Sequence, residues 1–282
     1  MTSFDVIVIG GGTGNNVAAA AADAGLETAL VEPGPLGGTC LNRGCNPSKM
    51  LIQAANAAND VREADRFHVA ATLEDIDYSA VVAEMDERLS GIAEDMEARY
   101  REKEHLTLFK ERTEFVDEST LALSGEAVSG EKIVIAAGSR PSTPPIDGLN
   151  EVDYLTSRDA LYLEELPESL VILGGGYIAV ELGYFFESMG TDVTIVEKHD
   201  SLVSREDEDV AEMFTEIAVG RHDVHLGYRV VAVEEAGNGY VVHGESETGD
   251  ELVVDGSEVL VALGRRPNSD TLGLDSTDIE VD

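Results

Sequence analysis

Cys40 and Cys45 are the only two cysteines of the 282-residue chain, and their spacing favours redox chemistry. Four residues separate them, so a bond between their sulfur atoms closes a short loop at little cost in chain entropy. The following Asn46 and Pro47 are typical of a helix start, as N-cap and first helical residue. The helix dipole would then favour the thiolate of Cys45, the reactive form of cysteine. The pattern predicts a sulfur pair that alternates between dithiol and disulfide.

Two other roles for the cysteines stay open at this point. A disulfide across so short a loop restrains the unfolded chain very little, which weakens the case for a purely structural bond. A metal site needs three or four ligands, and no histidine or third cysteine lies nearby in the sequence. We therefore expect no bound metal.

The composition limits the partners and the environment. The chain has 56 acidic and 19 basic residues, for a formal charge of −37, spread among apolar periodic segments. Such a surplus destabilises a compact state in dilute salt and is used by halophiles, so we interpret it as a salt-adapted surface. Nucleic acid and anionic membranes are poor partners for this charge. No signal peptide or apolar run of transmembrane length is visible, so we expect a cytoplasmic protein.

A glycine-rich loop near the N-terminus lies between a predicted strand, residues 6–9, and a predicted helix, residues 17–24. A second strand, residues 28–31, ends in Glu32, 22 residues after Gly10. In this βαβ arrangement glycines let the backbone approach a pyrophosphate, and the acidic residue accepts hydrogen bonds from a ribose. The candidate cofactor-binding residues of this unit are Gly10, Gly12, Gly14 and Glu32.

The same pattern recurs in the second half of the chain. A predicted strand, residues 170–173, leads into a second glycine loop, then a helix to about Met189 and a strand, residues 193–196, that ends in Glu197. Two complete units support two dinucleotide sites far better than one glycine motif would. The candidate residues here are Gly174, Gly176, Tyr177, Glu197 and Lys198.

The choice of nicotinamide is open from the sequence. Glu197 favours NAD, because a carboxylate binds a ribose 2′-hydroxyl and repels a 2′-phosphate. Lys198, His199 and Arg205 follow closely, and they could bind the phosphate of NADP if Glu197 turned away.

The remaining segments are predicted more coarsely. Residues 50–108 are expected to be mainly helical, with a packed face. Residues 131–141 and 259–268 each read as a strand that ends in a turn, at Gly138 and Gly264 respectively. The apolar positions at helical spacing include Ile92, Met96 and Tyr100.

The thirteen residues from Gly37 to Lys49 resemble the active-site segment of the flavoprotein disulfide reductases, the class I pyridine nucleotide-disulfide oxidoreductases. The resemblance extends along essentially the whole chain. It implies an α/β fold with two Rossmann-like, three-layer ββα domains, the FAD domain being interrupted by the NAD(P) domain. The implied bounds are 1–148 for the FAD domain, 149–268 for the NAD(P) domain, and 269–282 for the return to the FAD domain.

The resemblance also implies roles for individual residues. Cys45 would lie against the flavin as the charge-transfer thiolate, and Cys40 would be the interchange thiol that attacks a disulfide. Lys49 would lie near flavin N5, paired with Glu181. The implied cofactors are FAD and NAD, with NADP as the alternative. The cofactor contacts would be Gly10, Gly12, Gly14, Glu32, Thr39, Lys49, Gly138, Gly174, Gly176, Tyr177, Glu197, Lys198 and Gly264.

The resemblance leads us to expect a reductase of low-molecular-weight thiol disulfides. Tyr177 stands where glutathione and mercuric reductases carry a tyrosine that shields the flavin, although an ordinary buried tyrosine is the alternative. The pair Gly14 and Asn15 is similar to mycothione reductase, and Asn15 replaces the usual last glycine of the loop. Dihydrolipoamide dehydrogenase of a 2-oxo acid dehydrogenase complex is the nearest rival. A non-catalytic nucleotide-binding remnant is the alternative of another class.

Family members continue with a second FAD-contacting segment and a dimerisation domain that supplies the acid–base histidine, and none of the six histidines stands in that motif. We therefore expect a fragment of a protein that is a homodimer at full length. The 282-residue chain should bind FAD weakly and turn over poorly, as flavin titration and steady-state assay would measure. Full-rate NAD(P)H-dependent disulfide reduction by this chain alone would contradict the expectation.

Overall fold

The computed structural model describes residues 2–281. The strands are β1 (Thr2–Ile9), β2 (Thr28–Val31), β3 (Leu106–Phe109), β4 (Glu114–Asp117), β5 (Thr120–Leu123), β6 (Glu126–Ile135), β7 (Ser139–Pro141), β8 (Leu155–Thr156), β9 (Ser169–Leu173), β10 (Asp192–Glu197), β11 (Asp223–Leu226), β12 (Tyr228–Ala236), β13 (Gly239–Ser246), β14 (Glu251–Gly256), β15 (Glu258–Val261) and β16 (Arg265–Pro267). The helices are α1 (Gly14–Asp23), α2 (Gly38–Arg43), α3 (Cys45–Arg62), α4 (Tyr78–Arg101), α5 (Ser157–Leu161), α6 (Tyr177–Met189) and α7 (Glu208–Val219). Short 3-10 helices lie at Ala64–Phe67, Leu149–Glu151, Ser269–Thr271 and Leu274–Ser276.

These elements form two compact units. Among the described residues, the first unit comprises 2–46, 87–140 and 266–281, and the second comprises 47–86 and 141–265. The first unit is therefore interrupted by the second.

The first unit is built on a sheet with strand order β3-β2-β1-β6-β5-β4. Four neighbouring strands of this sheet are parallel, namely β3, β2, β1 and β6. The strands β5 and β4 continue the sheet beyond β6 as antiparallel strands. All four residues of β2 are buried, as expected for a parallel strand that is covered on both faces.

Helices and strands cover opposite faces of this sheet. Ala18 and Ala22 of α1 pack in one cluster with Val8 of β1. Ile7 is the preceding residue of β1 and packs in the opposite cluster with Leu121 of β5, because successive side chains of a strand point to opposite faces. One face of the sheet thus packs against a helix, and on the other face the β4 and β5 end of the same sheet contributes to the core.

The second unit repeats this architecture. Its parallel sheet has the order β11-β10-β9-β15-β8, and a separate antiparallel sheet has the order β12-β13-β14. One buried cluster joins the two sheets, with Val171 of β9 and Val259 of β15 packed among Val233 of β12 and Val242 of β13. The helix α6 contacts β9 and β10. The predicted α/β fold, with two Rossmann-like three-layer units of which the first is interrupted, is confirmed.

The region between the two glycine loops is less helical than predicted. Residues 69–77 lie in neither helix nor strand, and Leu106–Phe109 is a strand because it pairs in parallel with β2. Pairing across the sheet, which local spacing does not report, therefore overrides a helical pattern at the end of this region.

The packed face of α4 is also displaced from the predicted one. Met96 and Tyr100 pack against the first unit's core as expected, but Ile92 is 40% exposed. The buried positions Leu89 and Ala93 precede Met96 at helical spacing, so Ile92 lies one position off this row.

The two units also divide the chain at places other than the predicted domain bounds. The divisions fall at 140/141 and 265/266, instead of 148/149 and 268/269, and residues 47–86 group with the second unit. The cofactor assigned to each unit stays a prediction.

A glycine in the second unit gives a sharp test of this packing. Gly148 has φ +71, and a Cβ there would lie 2.1 Å from the carbonyl oxygen of Val233. Gly237 has φ +66, but a Cβ there would meet no atom within 4 Å. Gly237→Ala should therefore cost only the left-handed backbone penalty, about 1–2 kcal/mol of unfolding free energy. Gly148→Ala adds a backbone clash and should cost clearly more, about 3 kcal/mol or above.

Urea denaturation of both variants at one fixed salt concentration measures the difference. Equal losses in the two variants would show that Gly148 does not approach Val233 as described.

Candidate active site

The two cysteines lie on consecutive helices. Cys40 is in α2, and Cys45 is the first residue of α3. The prediction that Asn46 caps the next helix and that Pro47 is its first residue was wrong. Pro47 lies inside the first turn of α3, where its missing N–H needs no acceptor, so the helix can begin before it.

Both sulfur atoms are thiols and both cysteines are exposed. A hydrogen bond with the Cys45 thiol raises the pKa of the Cys40 thiol, and partial burial raises it further. Asn46 Oδ1 lies 3.9 Å from Cys40 Sγ, and Thr39 beside them is exposed. This pair can exchange a proton locally and can meet a reactant from solvent.

The first glycine loop presents bare backbone. Gly10 has φ +113, and a Cβ there would lie 2.1 Å from the carbonyl oxygen of Ala136. A Cβ on Gly38 would lie 2.5 Å from Gly12 Cα, so the loop meets the start of α2 backbone to backbone. The helix α1 begins at Gly14, so the positive end of its dipole lies at the loop. Bare backbone beside a helix N-terminus fits a pyrophosphate.

Glu32 holds this loop in place. Its Oε2 accepts a hydrogen bond of 2.8 Å from the Gly11 N–H, and its Oε1 accepts one of 2.8 Å from the Gly34 N–H. The carboxylate thus ties the end of β2 to the glycine loop. Its remaining lone pairs can accept hydrogen bonds from a ribose.

Asn15 explains how the unit tolerates a side chain in place of the last glycine. It is 6% exposed, and its Nδ2 donates to the Gly11 carbonyl at 3.4 Å and to Met96 Sδ at 3.4 Å. The Tyr100 hydroxyl donates to the Asn15 carbonyl at 3.0 Å. The side chain is accommodated by α4 on the helical side of the sheet.

The second unit reproduces the carboxylate arrangement. Glu197 accepts hydrogen bonds from the Gly175 N–H and, at 2.9 Å, from the His199 N–H. It is only 8% exposed, so it is held more firmly than a surface carboxylate. Gly174 has φ +105, and a Cβ there would lie 2.8 Å from the carbonyl oxygen of Ala262.

The second glycine loop opens onto free space at Gly176, where a Cβ would meet no atom within 4 Å. Tyr177 begins α6 and is 61% exposed, so the alternative of an ordinary buried tyrosine was wrong. The Tyr177 ring therefore lies largely outside the core. Lys198 and Arg205 are exposed as well.

Lys49 and Glu181 form an ion pair inside the second unit. Lys49 Nζ contacts Glu181 Oε1, and the Ser48 hydroxyl donates to Glu181 Oε2 at 2.9 Å. Both carboxylate oxygens are therefore engaged, and the Lys49 side chain remains 61% exposed. The resemblance predicted the pair of Lys49 and Glu181 but not the contribution of Ser48. The only sequence signal for Ser48 is its position one residue before Lys49.

Uncharged side chains extend the contact between α3 and α6. Asn59 Nδ2 donates to Ser188 Oγ at 2.8 Å and to the Tyr184 hydroxyl oxygen at 3.1 Å. The Tyr184 hydroxyl donates to Asn56 Oδ1 at 2.7 Å. We call Asn56, Asn59, Tyr184 and Ser188 the α3–α6 polar seam. It fixes the register of the two helices along their length.

Two further turns carry the remaining predicted glycines. Gly138 has φ +69 and Gly264 has φ +111, and a Cβ on either would meet no atom within 4 Å. The Asn268 N–H donates to the Gly138 carbonyl at 2.9 Å. Arg140 Nη1 and Nη2 donate to the carboxylate of Asp270 at 2.8 and 2.6 Å, which pins the segment that returns to the first unit.

Residues 2–281 contain no candidate metal site and no candidate membrane-spanning helix. No three histidine, cysteine, aspartate or glutamate side chains of this part of the chain are grouped so that they could hold a metal ion. None of its helices combines the length and the apolar character that crossing a bilayer requires.

The chain resembles several known enzymes along nearly its whole length. It is 34% identical to a mercuric reductase of Staphylococcus aureus, with 98% of this chain and 51% of that protein aligned. It is 36% identical to dihydrolipoyl dehydrogenase 2 of Haloarcula marismortui, with 100% and 61% aligned, and 33% identical to mycothione reductase of Mycobacterium tuberculosis, with 100% and 62% aligned. The chain thus spans about half to three-fifths of the length of these relatives.

A solved structure agrees with these similarities. The Cu(II) complex of the HOCl-induced flavoprotein disulfide reductase RclA from Escherichia coli superposes with a TM-score of 0.87 at 27% identity, covering 100% of this chain and 61% of that one. The family model described as pyridine nucleotide-disulphide oxidoreductase matches residues 4–282. Two glycine loops, two carboxylates and a cysteine pair are thus explained together: the chain belongs to the pyridine nucleotide-disulphide oxidoreductase family.

Proposed function

We propose that the chain is the cofactor-binding and redox part of an FAD-dependent NAD(P)H:disulfide oxidoreductase that reduces a low-molecular-weight disulfide. Enzymes of this family use FAD and NAD(P)H. The observation that carries the proposal is the exposed thiol pair of Cys40 and Cys45 in the same unit as a complete dinucleotide loop.

The first unit fits FAD by its backbone. In the proposed assignment, the bare loop of Gly10 and Gly12 and the N-terminus of α1 bind the pyrophosphate, and Glu32 binds the ribose. When bound, FAD supplies a ring that accepts a hydride and passes two electrons to a disulfide. Lys49, held by Glu181, supplies a fixed positive charge. Cys40 supplies the sulfur that meets the substrate.

The two cysteines together supply the two electrons that reduce the substrate disulfide. The Cys40 thiolate attacks one sulfur of the substrate disulfide, and the leaving thiolate takes up a proton. Cys45 then attacks Cys40 Sγ, which releases the second substrate thiol and closes the Cys40–Cys45 disulfide. The substrate gains two electrons and the cysteine pair loses them, to be restored from NAD(P)H through the flavin.

Tyr177 favours a low-molecular-weight disulfide as the substrate. Its exposed ring at the start of α6 can lie over a flat cofactor. The glutathione and mercuric reductases that the chain resembles carry a tyrosine at this position. Dihydrolipoamide dehydrogenase remains a second candidate, favoured by the 36% identity to the Haloarcula marismortui enzyme. Steady-state assays with lipoamide and with small disulfides, each against NADH and NADPH, separate the two.

The cysteine roles predict a spectroscopic signature. With excess FAD under anaerobic conditions, two-electron reduction should give a long-wavelength thiolate-to-flavin absorbance band. Cys45→Ser should abolish the band, because that sulfur is assigned to the flavin. Cys40→Ser should show the band before any reduction, because its Cys45 sulfur cannot be consumed in a disulfide, and should lose the band when two electrons reduce the flavin itself. Visible absorbance spectra of the three proteins measure this.

A chain that binds FAD but gives no band on reduction would instead support a nucleotide-binding remnant. A band that Cys45→Ser shows before reduction, and that Cys40→Ser never shows, would exchange the two roles.

The second unit favours NAD over NADP. Glu197 accepts two backbone hydrogen bonds and is 8% exposed, so turning it away would leave the N–H groups of Gly175 and His199 without their acceptor. A fixed carboxylate repels a 2′-phosphate. Lys198 and Arg205 are exposed and can offset this only in part.

Nicotinamide binding can be measured without flavin. In fluorescence titrations NADH should bind at least about tenfold more tightly than NADPH, a difference of about 1.4 kcal/mol. Glu197→Gln keeps the shape and removes the charge, so the preference should shrink markedly. Lys198→Gln is the matched control, and it should weaken NADPH binding alone. Tighter binding of NADPH by the unmodified chain would overturn the assignment.

A further inference from the structure

Asn46 lies beside the redox pair in a position that the sequence did not indicate. It is not the cap of α3 but its second residue, and its exposed side chain is therefore not committed to capping. Its Oδ1 lies 3.9 Å from Cys40 Sγ, within the range of a weak thiol hydrogen bond. Asn46 and Cys40 both belong to the first unit.

Among residues 2–281, the Cys45 thiol and the Asn46 amide both contact the Cys40 sulfur. The Cys45 thiol faces it from the start of α3 and raises the pKa of the Cys40 thiol. Arg43, in the last turn of α2, is the charged residue nearest to Cys40 along the chain. The amide of Asn46 contacts the Cys40 sulfur directly, through an atom that does not belong to Cys45.

An amide suits both protonation states of a sulfur. Its carbonyl oxygen accepts a hydrogen bond from a thiol, and after rotation its NH₂ group donates one to a thiolate. A hydrogen bond to the charged form is the stronger of the two. An aliphatic side chain offers neither, and a carboxylate opposes the thiolate by its charge.

We propose that Asn46 is a positioning residue for Cys40, which holds the sulfur by a hydrogen bond as it changes from thiol to attacking thiolate. The inference rests on the proposed disulfide reduction, in which Cys40 attacks the substrate. In that step the Cys40 S–H proton leaves, the new bond forms to one substrate sulfur, and the other substrate sulfur departs as a thiolate. The amide stabilises Cys40 before the attack and takes no part in bond making.

Alkylation of the 282-residue chain tests the proposal without FAD or nicotinamide. The reduced protein is treated with iodoacetamide over a range of pH, and peptide mass spectrometry follows Cys40 separately from Cys45. In Asn46→Asp a fixed negative charge near 4 Å should raise the apparent pKa of Cys40 by at least about half a unit, and slow its alkylation at pH 7.5 about threefold or more. Asn46→Leu should slow it as well, because the donor to the thiolate is lost.

Gln53→Leu is the matched control, since Gln53 is exposed on the same helix and two turns further along. It should leave the Cys40 profile unchanged. An unchanged profile in Asn46→Asp, or an equal change in Gln53→Leu, would overturn the proposal. Circular dichroism confirms that the variants fold, and aspartate near a helix N-terminus favours folding.

The outcome is separable from that of the proposed function. Asn46 variants that shift the Cys40 profile, in a chain that gives no charge-transfer band, would support the positioning role and contradict the enzyme. A normal charge-transfer band together with an unchanged Cys40 alkylation profile would support the enzyme and contradict the positioning role.

Discussion

One interaction recurs in both units, and the arrangement of each site depends on it. A carboxylate at the end of the second strand accepts a hydrogen bond from the N–H of the glycine loop, as Glu32 does with Gly11 and Glu197 with Gly175. A second backbone N–H, from Gly34 in one case, occupies the other oxygen. The loop is thereby fixed against the sheet before any nucleotide binds. Preorganised backbone of this kind lowers the ordering cost of binding.

This constraint places the reactive sulfur atoms. The glycine loop meets the start of α2 backbone to backbone, through Gly12 and Gly38, so the segment with Cys40 is anchored to the same carboxylate-held loop. A side chain on Gly38 would push that segment away. The position of the pair therefore depends on glycines that carry no reactive group. The exposure of Cys40 and Cys45 leaves the anchored pair open to solvent.

Local sequence patterns predicted much of the fold but only part of the candidate active site. The two strand–loop–helix–strand units were predictable because their periodicity and their acidic ends lie within about thirty residues of each other. The strand Leu106–Phe109 was not, since only its pairing with β2 defines it. The ion pair of Lys49 and Glu181 joins residues 132 apart, and it came from resemblance alone. The contact of Asn46 with Cys40 depends on the residue at which α3 begins, and sequence patterns locate helix ends poorly.

The α3–α6 polar seam has a consequence for work in concentrated brine. At 1 M ionic strength the Debye length falls to about 3 Å, so attraction between exposed opposite charges is largely screened. The seam's hydrogen bonds join amide and hydroxyl groups of Asn56, Asn59, Tyr184 and Ser188, which carry no net charge to be screened. These contacts between the helix that begins at Cys45 and the helix that follows the second glycine loop are thus less sensitive to ion concentration than the Lys49–Glu181 ion pair. A chain with a formal charge of −37 can therefore keep these contacts while salt screens its charges.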